Sequence, residues 1–302
     1  MNVQQLKVFV EVMKRGTLQG GAEHLGLKQP TVSFHLRKLE EELGVELFRK
    51  HSRNLRPTKA AEELLPYSRH ILSLMDEAAE RMSMHAAKTG IKLKLGASYT
   101  PATYYLPPYL AEFRHRYPSV HLLLNVKKAE STLHMLRNYE IDVGIVSLPQ
   151  EEEKGLCVVP LLEDELQLVL SPQHPLANIE HLTADHLQEE TFLLHEGGTT
   201  SRRLAEEWAS VIGLEFRSTM ELGAIETIKE SLKYSMGIGV LPLRSVLRET
   251  AAGELVKRPL PGNGYTNRRY ICLVYRDEPI YSQHTKMFID YMQAAAEVKL
   301  NP

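Results

Sequence analysis

Three glycines divide the first 44 residues into three short segments of helical periodicity: Gly16, Gly26 and Gly44. The first segment carries one apolar stripe at the helical spacing i, i+3, i+4, i+7: Leu6, Phe9, Val10 and Met13. Thr17 can cap the second helix, which we predict over residues 18–25. Pro30 stands near the start of the third, where a first turn tolerates proline. Two helices joined by a short glycine-containing turn, with another helix in front, are typical of a helix-turn-helix unit.

The third predicted helix has its own apolar stripe: Val32, Leu36, Leu39 and Leu43. If this stripe is buried, the N-terminal end and the opposite face of the helix are free to enter a DNA major groove. We therefore predict that seven residues of this helix contact DNA: Gln29, Pro30, Thr31, Ser33, Phe34, Arg37 and Lys38. Phe34 has no obvious place in the core of the unit. It can contact a thymine methyl or a sugar, and the alternative is burial against a wing or a partner subunit.

Basic residues are concentrated after this helix: Arg49, Lys50, Arg53 and Arg56. Asn54 and Pro57 favour turns, so the segment is predicted to be a hairpin wing. Its arginines (Arg49, Arg53 and Arg56) would contact phosphates and supply affinity and orientation rather than sequence choice. Residues 1–58 hold ten Lys or Arg against six Asp or Glu, although the whole chain has a net charge of −2. A solvated basic loop is the alternative interpretation.

The stretch from Thr58 to about Ala87 has no glycine, and its apolar residues recur mostly at spacings of three and four. This pattern predicts one long helix, which Pro66 can bend or divide. Nearly thirty residues is too long for a surface helix of so small a domain. We therefore expect the helix to pair with a second copy of itself, so that two recognition helices read two half-sites.

Six short stretches occur here in a specific order and spacing: LKVF at 6–9, AEHL at 22–25, QPTVS at 29–33, LEEELGV at 39–45, LFR at 47–49 and PTKA at 57–60. Together with Arg53 they make the N-terminal part resemble the DNA-binding domain of the LysR-type transcriptional regulators. The resemblance continues through essentially the whole chain. This sequence departs from the family pattern at a few positions: Gly20 and Gly21 in the second helix, Phe34 where arginine is frequent, and Pro57 and Ala61 after the wing.

After residue 90, strand-like segments alternate with helical ones. The predicted strands are IKLKLG at 91–96, VHLLLNV at 120–126, IDVGIV at 141–146, LQLVL at 166–170, TFLL at 191–194, STMEL at 218–222, MGIGVLP at 236–242 and RYICLVY at 269–275. The alternation predicts an α/β fold with a largely parallel sheet. The stretches DVGI from Asp142, HPLA from His174 and GIGVLP from Gly237 match family patterns.

The resemblance implies three parts. Residues 1–58 would form a winged helix-turn-helix DNA-binding domain, and residues 59–89 a linker or dimerisation helix and a hinge. Residues 90–302 would form a two-lobed α/β effector-binding domain resembling periplasmic solute-binding proteins. Within it, lobe I would span about 90–161 and 266–302, and lobe II about 162–265.

Three hydroxyl-rich segments stand where strand ends and helix N-termini are predicted to meet: Ser98 with Thr100, Ser131 with Thr132, and Thr199 and Thr200 with Ser201. Helix N-termini present unpaired N–H groups and partial positive charge, so they bind anions. By family resemblance these residues border an effector pocket, with Arg202, Tyr99 and Tyr104 as further candidates for its wall. We expect the effector to be a small anion, either a carboxylate metabolite or an inorganic ion. The alternative is that each hydroxyl is only an N-cap.

Catalytic signatures such as HExxH, GxSxG and GxxxxGK[ST] are absent from the sequence, and the 13 histidines show no metal-ligand spacing. We therefore predict that the chain is not an enzyme, and that its only small-molecule partner is a co-inducer. Cys157 and Cys272 share no short spacing; we predict two small buried residues, with a redox pair as the alternative.

The expected partners are double-stranded DNA, the effector and further copies of the chain, and the resemblance implies a tetramer built as two dimers. The sequence has no apolar run near 18 residues and no signal-peptide core, which predicts a cytoplasmic protein without a membrane span. Two other classes are a solute-binding protein and an architectural DNA-binding protein. The basic N-terminal unit is unexplained in the first, and the two hundred residues of α/β pattern are unexplained in the second.

Overall fold

The computed structural model describes residues 1–51, 54–87, 91–149, 153–262, 268–277 and 281–300. The chain forms two compact units. The first comprises Met1–Ile91 with Arg137–Glu140, and the second Lys92–Leu136 with Ile141–Pro302. Within the described ranges, every helix is too short or too polar to cross a membrane.

The first unit is a winged helix-turn-helix followed by a long helix. Its elements are α1 (Val3–Arg15), α2 (Leu18–Leu25), α3 (Gln29–Leu43), β1 (Phe48–His51), β2 (Asn54–Pro57) and α4 (Lys59–Ala87). The predicted glycine stops are present, because Gly16, Gly26 and Gly44 each follow a helix in the left-handed conformation. Thr17 caps α2 by accepting a hydrogen bond from the backbone N–H of Gly20. Strands β1 and β2 pair antiparallel as the predicted hairpin.

The core of this unit is formed by one face of each helix. Its buried members include Val8, Phe9, Val12, Ala22, Val32, Leu36 and Leu39. The Phe9 and Phe48 rings lie 5.9 Å apart and join α1 to the wing. Leu43 was expected to complete the buried stripe of α3, but it is 38% exposed. Leu43 is the last residue of the helix, and the buried core contacts on this face end at Leu39.

Helix α4 continues through Pro66 as a single 29-residue helix rather than dividing there. The hydroxyl of Ser68 donates to the Leu64 carbonyl at 3.0 Å in the same turn. Several large apolar side chains along α4 remain exposed in the single chain: Tyr67, Ile71, Leu74, Met75 and Met82.

The second unit is an α/β domain. Its strands are β3 (Ile91–Ala97), β4 (Val120–Val126), β5 (Val143–Leu148), β6 (Leu156–Leu170), β7 (Thr191–His195), β8 (Ser218–Leu222), β9 (Ile238–Pro242), β10 (Val256–Arg258) and β11 (Arg268–Arg276). Its α-helices are α5 (Tyr99–Tyr104), α6 (Leu106–Arg116), α7 (Ala129–Arg137), α8 (Ala184–Leu187), α9 (Thr200–Val211), α10 (Ile225–Lys233), α11 (Leu243–Ala251) and α12 (Gln283–Leu300). The strand order is β4-β3-β5-β11-β6-β9-β7-β8, with β10 paired to β6.

The sheet is mixed, so the prediction of a largely parallel sheet is wrong. The pairs β3–β5, β7–β8 and β7–β9 are parallel. The central strands β6 and β11 run antiparallel to each other and to their neighbours β5, β9 and β10. Strand β6 was predicted only at residues 166–170, yet it begins at Leu156 because its first ten residues pair with β11.

Helices connect the first strands of this unit. Between β3 and β4 the chain forms two helices, because Pro107 and Pro108 stand in the first turn of α6 and suit a new helix start. Helix α7 follows β4 and ends at Arg137, and Tyr139 has a left-handed φ of 59°.

The long strands β6 and β11 join two lobes with separate cores. Lobe I contains β3, β4 and β5, and its core includes Phe113 and Phe288, whose rings are 5.0 Å apart. Lobe II contains β7, β8 and β9, and its core includes Phe192 and Trp208. The Trp208 indole N–H donates to the Pro261 carbonyl at 2.8 Å. The two-lobed α/β fold is therefore confirmed.

The two cysteines are not placed to form a disulfide. Cys272 on β11 is buried and pairs in register with Pro160 on β6, three positions from Cys157. Three strand residues span about 10 Å, which exceeds the Cα separation that a disulfide tolerates.

Candidate functional site

The outward surface of α3 carries the residues that were predicted to contact DNA. Gln29, Pro30, Ser33, Phe34 and Arg37 are exposed, and the other two, Thr31 and Lys38, are half-buried. Phe34 is 50% exposed, and its ring meets the His35 ring edge-on at 5.7 Å. Half of the Phe34 surface is therefore available for a contact outside this chain.

Charges on α3 are partly balanced within the helix. Lys38 Nζ lies 2.7 Å from Glu41, and Arg37 Nε lies 3.5 Å from the same carboxylate. The hydrogen bond from Lys38 lowers the pKa of Glu41. On the wing, Arg56 is exposed, whereas Arg49 is 3.9 Å from Glu46.

Arg53 lies outside the described residues. The exposed wing cations that the structure does describe are Arg49 and Arg56.

A cleft between the lobes brings together five of the residues predicted to bind the effector: Ser98, Thr100, Thr199, Thr200 and Ser201. Ser98 and Thr100 come from the start of α5 in lobe I, and the other three come from the start of α9 in lobe II. Tyr99, one of the further candidates, also lines the cleft.

The three other predicted effector residues lie away from the cleft wall. Ser131 is exposed on α7, while Thr132 is buried and its hydroxyl donates to the Lys128 carbonyl at 3.0 Å. Arg202 pairs with Glu206 of the same helix α9 at 2.6 Å and with Glu221 of β8 at 3.7 Å.

The cleft hydroxyls have different roles. Thr199 caps α9 by accepting from the Arg202 N–H at 3.2 Å, which is the alternative role considered for each hydroxyl. Ser98 Oγ instead accepts from the Ser147 N–H at 3.0 Å. Thr200 Oγ1 donates across the cleft to the Ser147 carbonyl at 3.0 Å.

Two cations that sequence reasoning missed also line the cleft: Lys128 and Arg269. Lys128 Nζ donates to the Gly197 carbonyl at 2.7 Å and lies 3.4 Å from Glu196. Because Lys128 precedes α7 and Gly197 follows β7, this bond joins lobe I to lobe II.

Arg269 is held by a buried carboxylate. Its Nε and Nη2 donate to Asp164 Oδ2 at 3.0 and 2.7 Å, and both side chains are almost fully buried, at 1% and 0% exposure. Its Nη1 donates to Ser201 Oγ at 2.9 Å, and this bond holds the Ser201 side chain in place. Asp164 neutralises much of the arginine charge, so Lys128 is the more available cation.

Two polar atoms of the cleft are buried without a hydrogen-bond partner among the residues that the structure describes: Ser147 Oγ and His195 Nδ1. Burial is the main cause of a lowered pKa at His195, so its imidazole is neutral near pH 7. The Tyr99 ring lies 5.7 Å from the His195 ring. Unpaired buried polar atoms cost stability, and a hydrogen-bonding group brought to them would remove that cost.

The cavity in the cleft is narrow. Its volume is about 20 Å³, enough for about one water molecule. Cross-lobe hydrogen bonds from Lys128 and Thr200 hold its walls together. Within the described part of the chain, no group of three or more His, Cys, Asp or Glu side chains is arranged to hold a metal ion.

Comparison with known proteins identifies both parts of the chain. Residues 3–62 match the model for the bacterial regulatory helix-turn-helix protein of the lysR family, and residues 88–297 match the LysR substrate binding domain. The HTH-type transcriptional activator CmpR of Synechocystis is 29% identical over 296 residues, covering 98% of this chain and 96% of CmpR.

Two solved structures extend the comparison. A full-length OxyR variant from Pseudomonas aeruginosa has the same fold, with a TM-score of 0.67, 23% identity, and coverage of 99% of this chain and 95% of that one. The regulatory domain of Synechocystis CcmR, in complex with 2-PG, is 30% identical with a TM-score of 0.61, covering 68% of this chain and 97% of that one.

These relatives are transcriptional regulators, in agreement with the prediction that the chain is not an enzyme. The two matched models together span the DNA-binding and effector-binding parts. The chain therefore belongs to the LysR family of transcriptional regulators.

Proposed function

We propose that this regulator acts in the cytoplasm, binds an inverted-repeat operator as a dimer or a dimer of dimers, and senses a small anion in the cleft of its effector domain. In this proposal the wing contacts phosphates and supplies affinity and orientation, whereas α3 contacts base edges and supplies sequence specificity. The residues proposed for DNA contact are those of the exposed α3 surface and the wing arginines, including Arg53.

The exposed apolar residues of α4 support the dimer. Tyr67 is 69% exposed and Met82 is 63% exposed, with Leu74 at 48% between them. A row of large apolar side chains on one helix is costly in water and is typical of a contact surface. A second α4 is a matched partner, because a symmetric dimer places the same patch against itself.

The observation that carries the anion proposal is the convergence of hydroxyls, a lysine and the N-terminus of α9 on one cleft. Thr200 and Ser201 belong to the first turn of a 12-residue helix, where backbone N–H groups and the helix dipole favour negative charge. Lys128 adds a cation on the facing side, with Glu196 3.4 Å from its Nζ. A related domain, that of CcmR, is described in complex with 2-PG, which agrees with a small effector for a domain of this kind.

The narrow cavity implies a mechanism. An organic anion fits only if the lobes separate, which breaks the bonds from Lys128 to Gly197 and from Thr200 to Ser147. The anion would then replace those carbonyl acceptors. Such a ligand binds the open arrangement of the lobes better than the closed one, so it shifts their populations. In this proposal the helix α4 relays the change to the spacing of the paired DNA-binding units.

The test uses the full chain, a set of small carboxylates and phosphates, and two variants. Lys128→Gln removes the cleft cation, and Lys127→Gln removes an exposed charge one residue away as a matched control. An anion at one hundred times its Kd should stabilise the folded chain by about 2.7 kcal/mol. We expect that thermal shift in the parent and in Lys127→Gln, a much smaller one in Lys128→Gln, and a change in operator affinity measured by fluorescence anisotropy.

Neutral analogues of the same size form the second arm. The anion proposal fails if they stabilise the chain as well as the charged compounds do. It fails equally if Lys128→Gln responds to every anion as Lys127→Gln does.

A further inference from the structure

A second cavity lies outside the cleft and shares none of its lining residues. It is bounded by α5 and α6 of lobe I and by α10 and α11 of lobe II. Its volume is about 470 Å³, against about 20 Å³ for the cleft by the same measure. Small-molecule sites usually measure about 300–1,000 Å³, so this cavity can take a metabolite without lobe movement.

An ionic cluster around one buried lysine forms the floor of this cavity. Lys229 is 2% exposed, and its Nζ lies 2.7 Å from a carboxylate oxygen of Glu226 and 2.7 Å from one of Glu249. The Tyr104 hydroxyl donates to the other oxygen of Glu226 at 2.6 Å, and its ring centroid is 5.1 Å from Lys229 Nζ. Burial disfavours the charged form of Glu226, but the hydrogen bonds from Lys229 and Tyr104 outweigh it and lower the pKa of this carboxyl.

This floor fixes the geometry of the cavity. A buried lysine is tolerated only when it is paired and hydrogen-bonded, so Lys229 holds both carboxylates in place. Tyr104 belongs to α5, whereas Lys229 and Glu226 belong to α10, so the cluster also ties the lobes together. The charge of the floor is one ammonium against two carboxylates.

Two arginines on the wall are not used by this cluster. Arg244 and Arg248 lie one turn apart on α11 and both line the cavity. Neither guanidinium forms an ion pair with any residue in the ranges that the structure describes. The Arg244 guanidinium lies 6.0 Å from the Tyr105 ring centroid, at the outer range of a cation–π contact.

Two unpaired cations at i, i+4 repel each other, and an anionic group placed between them would turn this repulsion into attraction. The planar guanidinium offers paired N–H donors that match a carboxylate or phosphate. The floor and these two arginines together carry one excess positive charge, which one anionic group would balance.

We propose that this cavity is a second ligand site, for a small organic anion whose carboxylate or phosphate is held between Arg244 and Arg248. The apolar part of the ligand would rest on Leu247, which is 43% exposed, and on Pro107 and Pro108 across the cavity. The site is additional to the effector cleft and does not depend on the identity of the cleft ligand.

A ligand in this position contacts both lobes at once. Pro107 and Pro108 belong to lobe I, and Arg244 and Arg248 belong to lobe II. The ligand therefore binds the present arrangement of the lobes more tightly than one in which they have separated. By linkage, it opposes the opening that an organic ligand in the cleft requires, and acts as an antagonist of that effector.

The experiment uses the full-length chain with Lys128→Gln as background, so that binding in the cleft is weakened. Inorganic phosphate and malonate are the probes, and affinity is measured by isothermal titration calorimetry. Arg244→Gln with Arg248→Gln is the test variant. Arg203→Gln with Arg217→Gln is the control, because it removes the same number of arginine charges from lobe II, at positions outside the cavity that are 56% and 59% exposed.

We expect at least one probe to bind with one-to-one stoichiometry in the background chain. Its Kd should rise at least tenfold in the test variant and stay within twofold in the control. Arg248→Gln alone should raise Kd at least threefold. Because Arg248 is exposed, this single variant still tests the site if the double variant does not fold. Equal affinity in test and control variants, or no binding of either probe to the background chain, would overturn the proposal.

Discussion

Replacing Arg269 by methionine should destabilise the effector domain more than any surface arginine replacement. The substitution removes the cation that pairs with the Asp164 carboxylate. The Asp164 side chain is 0% exposed, so water cannot replace that cation. It also removes the donor to Ser201 Oγ. A buried ion pair broken on one side leaves an uncompensated charge in a low-dielectric environment, which is the costly case.

The expected magnitude follows from this geometry. Breaking a buried pair from one side costs about 3–5 kcal/mol. For a domain of this size, each kcal/mol lowers Tm by about 2–4 °C, so Arg269→Met should lower Tm by roughly 6–20 °C. Removing both partners, as in Arg269→Met with Asp164→Leu, should cost less than the single change, because no unpaired charge remains.

The neighbouring residue supplies a matched control. Arg268 stands next to Arg269 on β11 and pairs with Glu163 at 3.0 Å, but those side chains are 61% and 52% exposed. An exposed pair of this kind contributes about 0–1 kcal/mol, so Arg268→Gln should change Tm little. Urea unfolding followed by the fluorescence of Trp208, the single tryptophan and a core residue of lobe II, reports on the effector domain.

Two results would contradict this reasoning. The first is that Arg269→Met matches Arg268→Gln in unfolding free energy, which would mean that the buried pair contributes no more than an exposed one. Alternatively, the double variant could be less stable than either single variant, and then loss of packing rather than unpaired charge would be the cause.

Three further predictions concern other parts of the chain. Gln29→Ala should relax sequence choice, whereas Arg56→Ala should weaken specific and random DNA binding alike and reduce the salt slope by about 1; equal losses for both would contradict the assignment of α3. Gly237→Ala should cost at least about 3 kcal/mol, because φ is 149° and a Cβ would overlap a carbonyl oxygen of β7. Gly213→Ala, with φ of 70° and open space, should cost only about 1–2 kcal/mol, and similar urea midpoints would refute the overlap. Burial lowers the pKa of His195 in the folded chain, so on acidification below about pH 6.5 this histidine is protonated first in the unfolded chain. The free energy of unfolding should therefore decrease below that pH. Unfolding midpoints at several pH values should show a flatter dependence for His195→Asn, and parallel curves would exclude this role.

The DNA-binding unit was largely predictable because its determinants are local. Gly16, Gly26 and Gly44 end helices by a backbone preference that depends on one residue and its neighbours. The apolar spacing of α1 and α3 identifies their buried faces in the same local way. The prediction that Leu43 is buried was wrong, because burial of the last turn of a helix depends on how far the neighbouring elements extend.

The effector domain was harder to predict because its central strands are paired over long distances. Strand β6 was found only in part, since Pro160 and the acidic residues 163–165 interrupt the apolar pattern of the segment that pairs with β11. The antiparallel direction of β11 depends on where the chain returns after lobe II, and that is not visible in local periodicity. Hydroxyl-rich helix starts, in contrast, were visible in the sequence and do border the cleft at Ser98 and Thr200.

The sequence by itself determined the winged helix-turn-helix, the long α4 and the α/β character of the rest, since short-range periodicity and backbone preference suffice for these. Only the tertiary structure decided which charges meet. Asp164 and Arg269 are 105 residues apart in the chain, yet they form one buried pair at the cleft. Tyr104 and Glu226, 122 residues apart, meet at the floor of the second cavity. Charged groups interact according to their distance in the folded chain. Local sequence periodicity does not show that distance, because it is set only when the sheet brings the two lobes together.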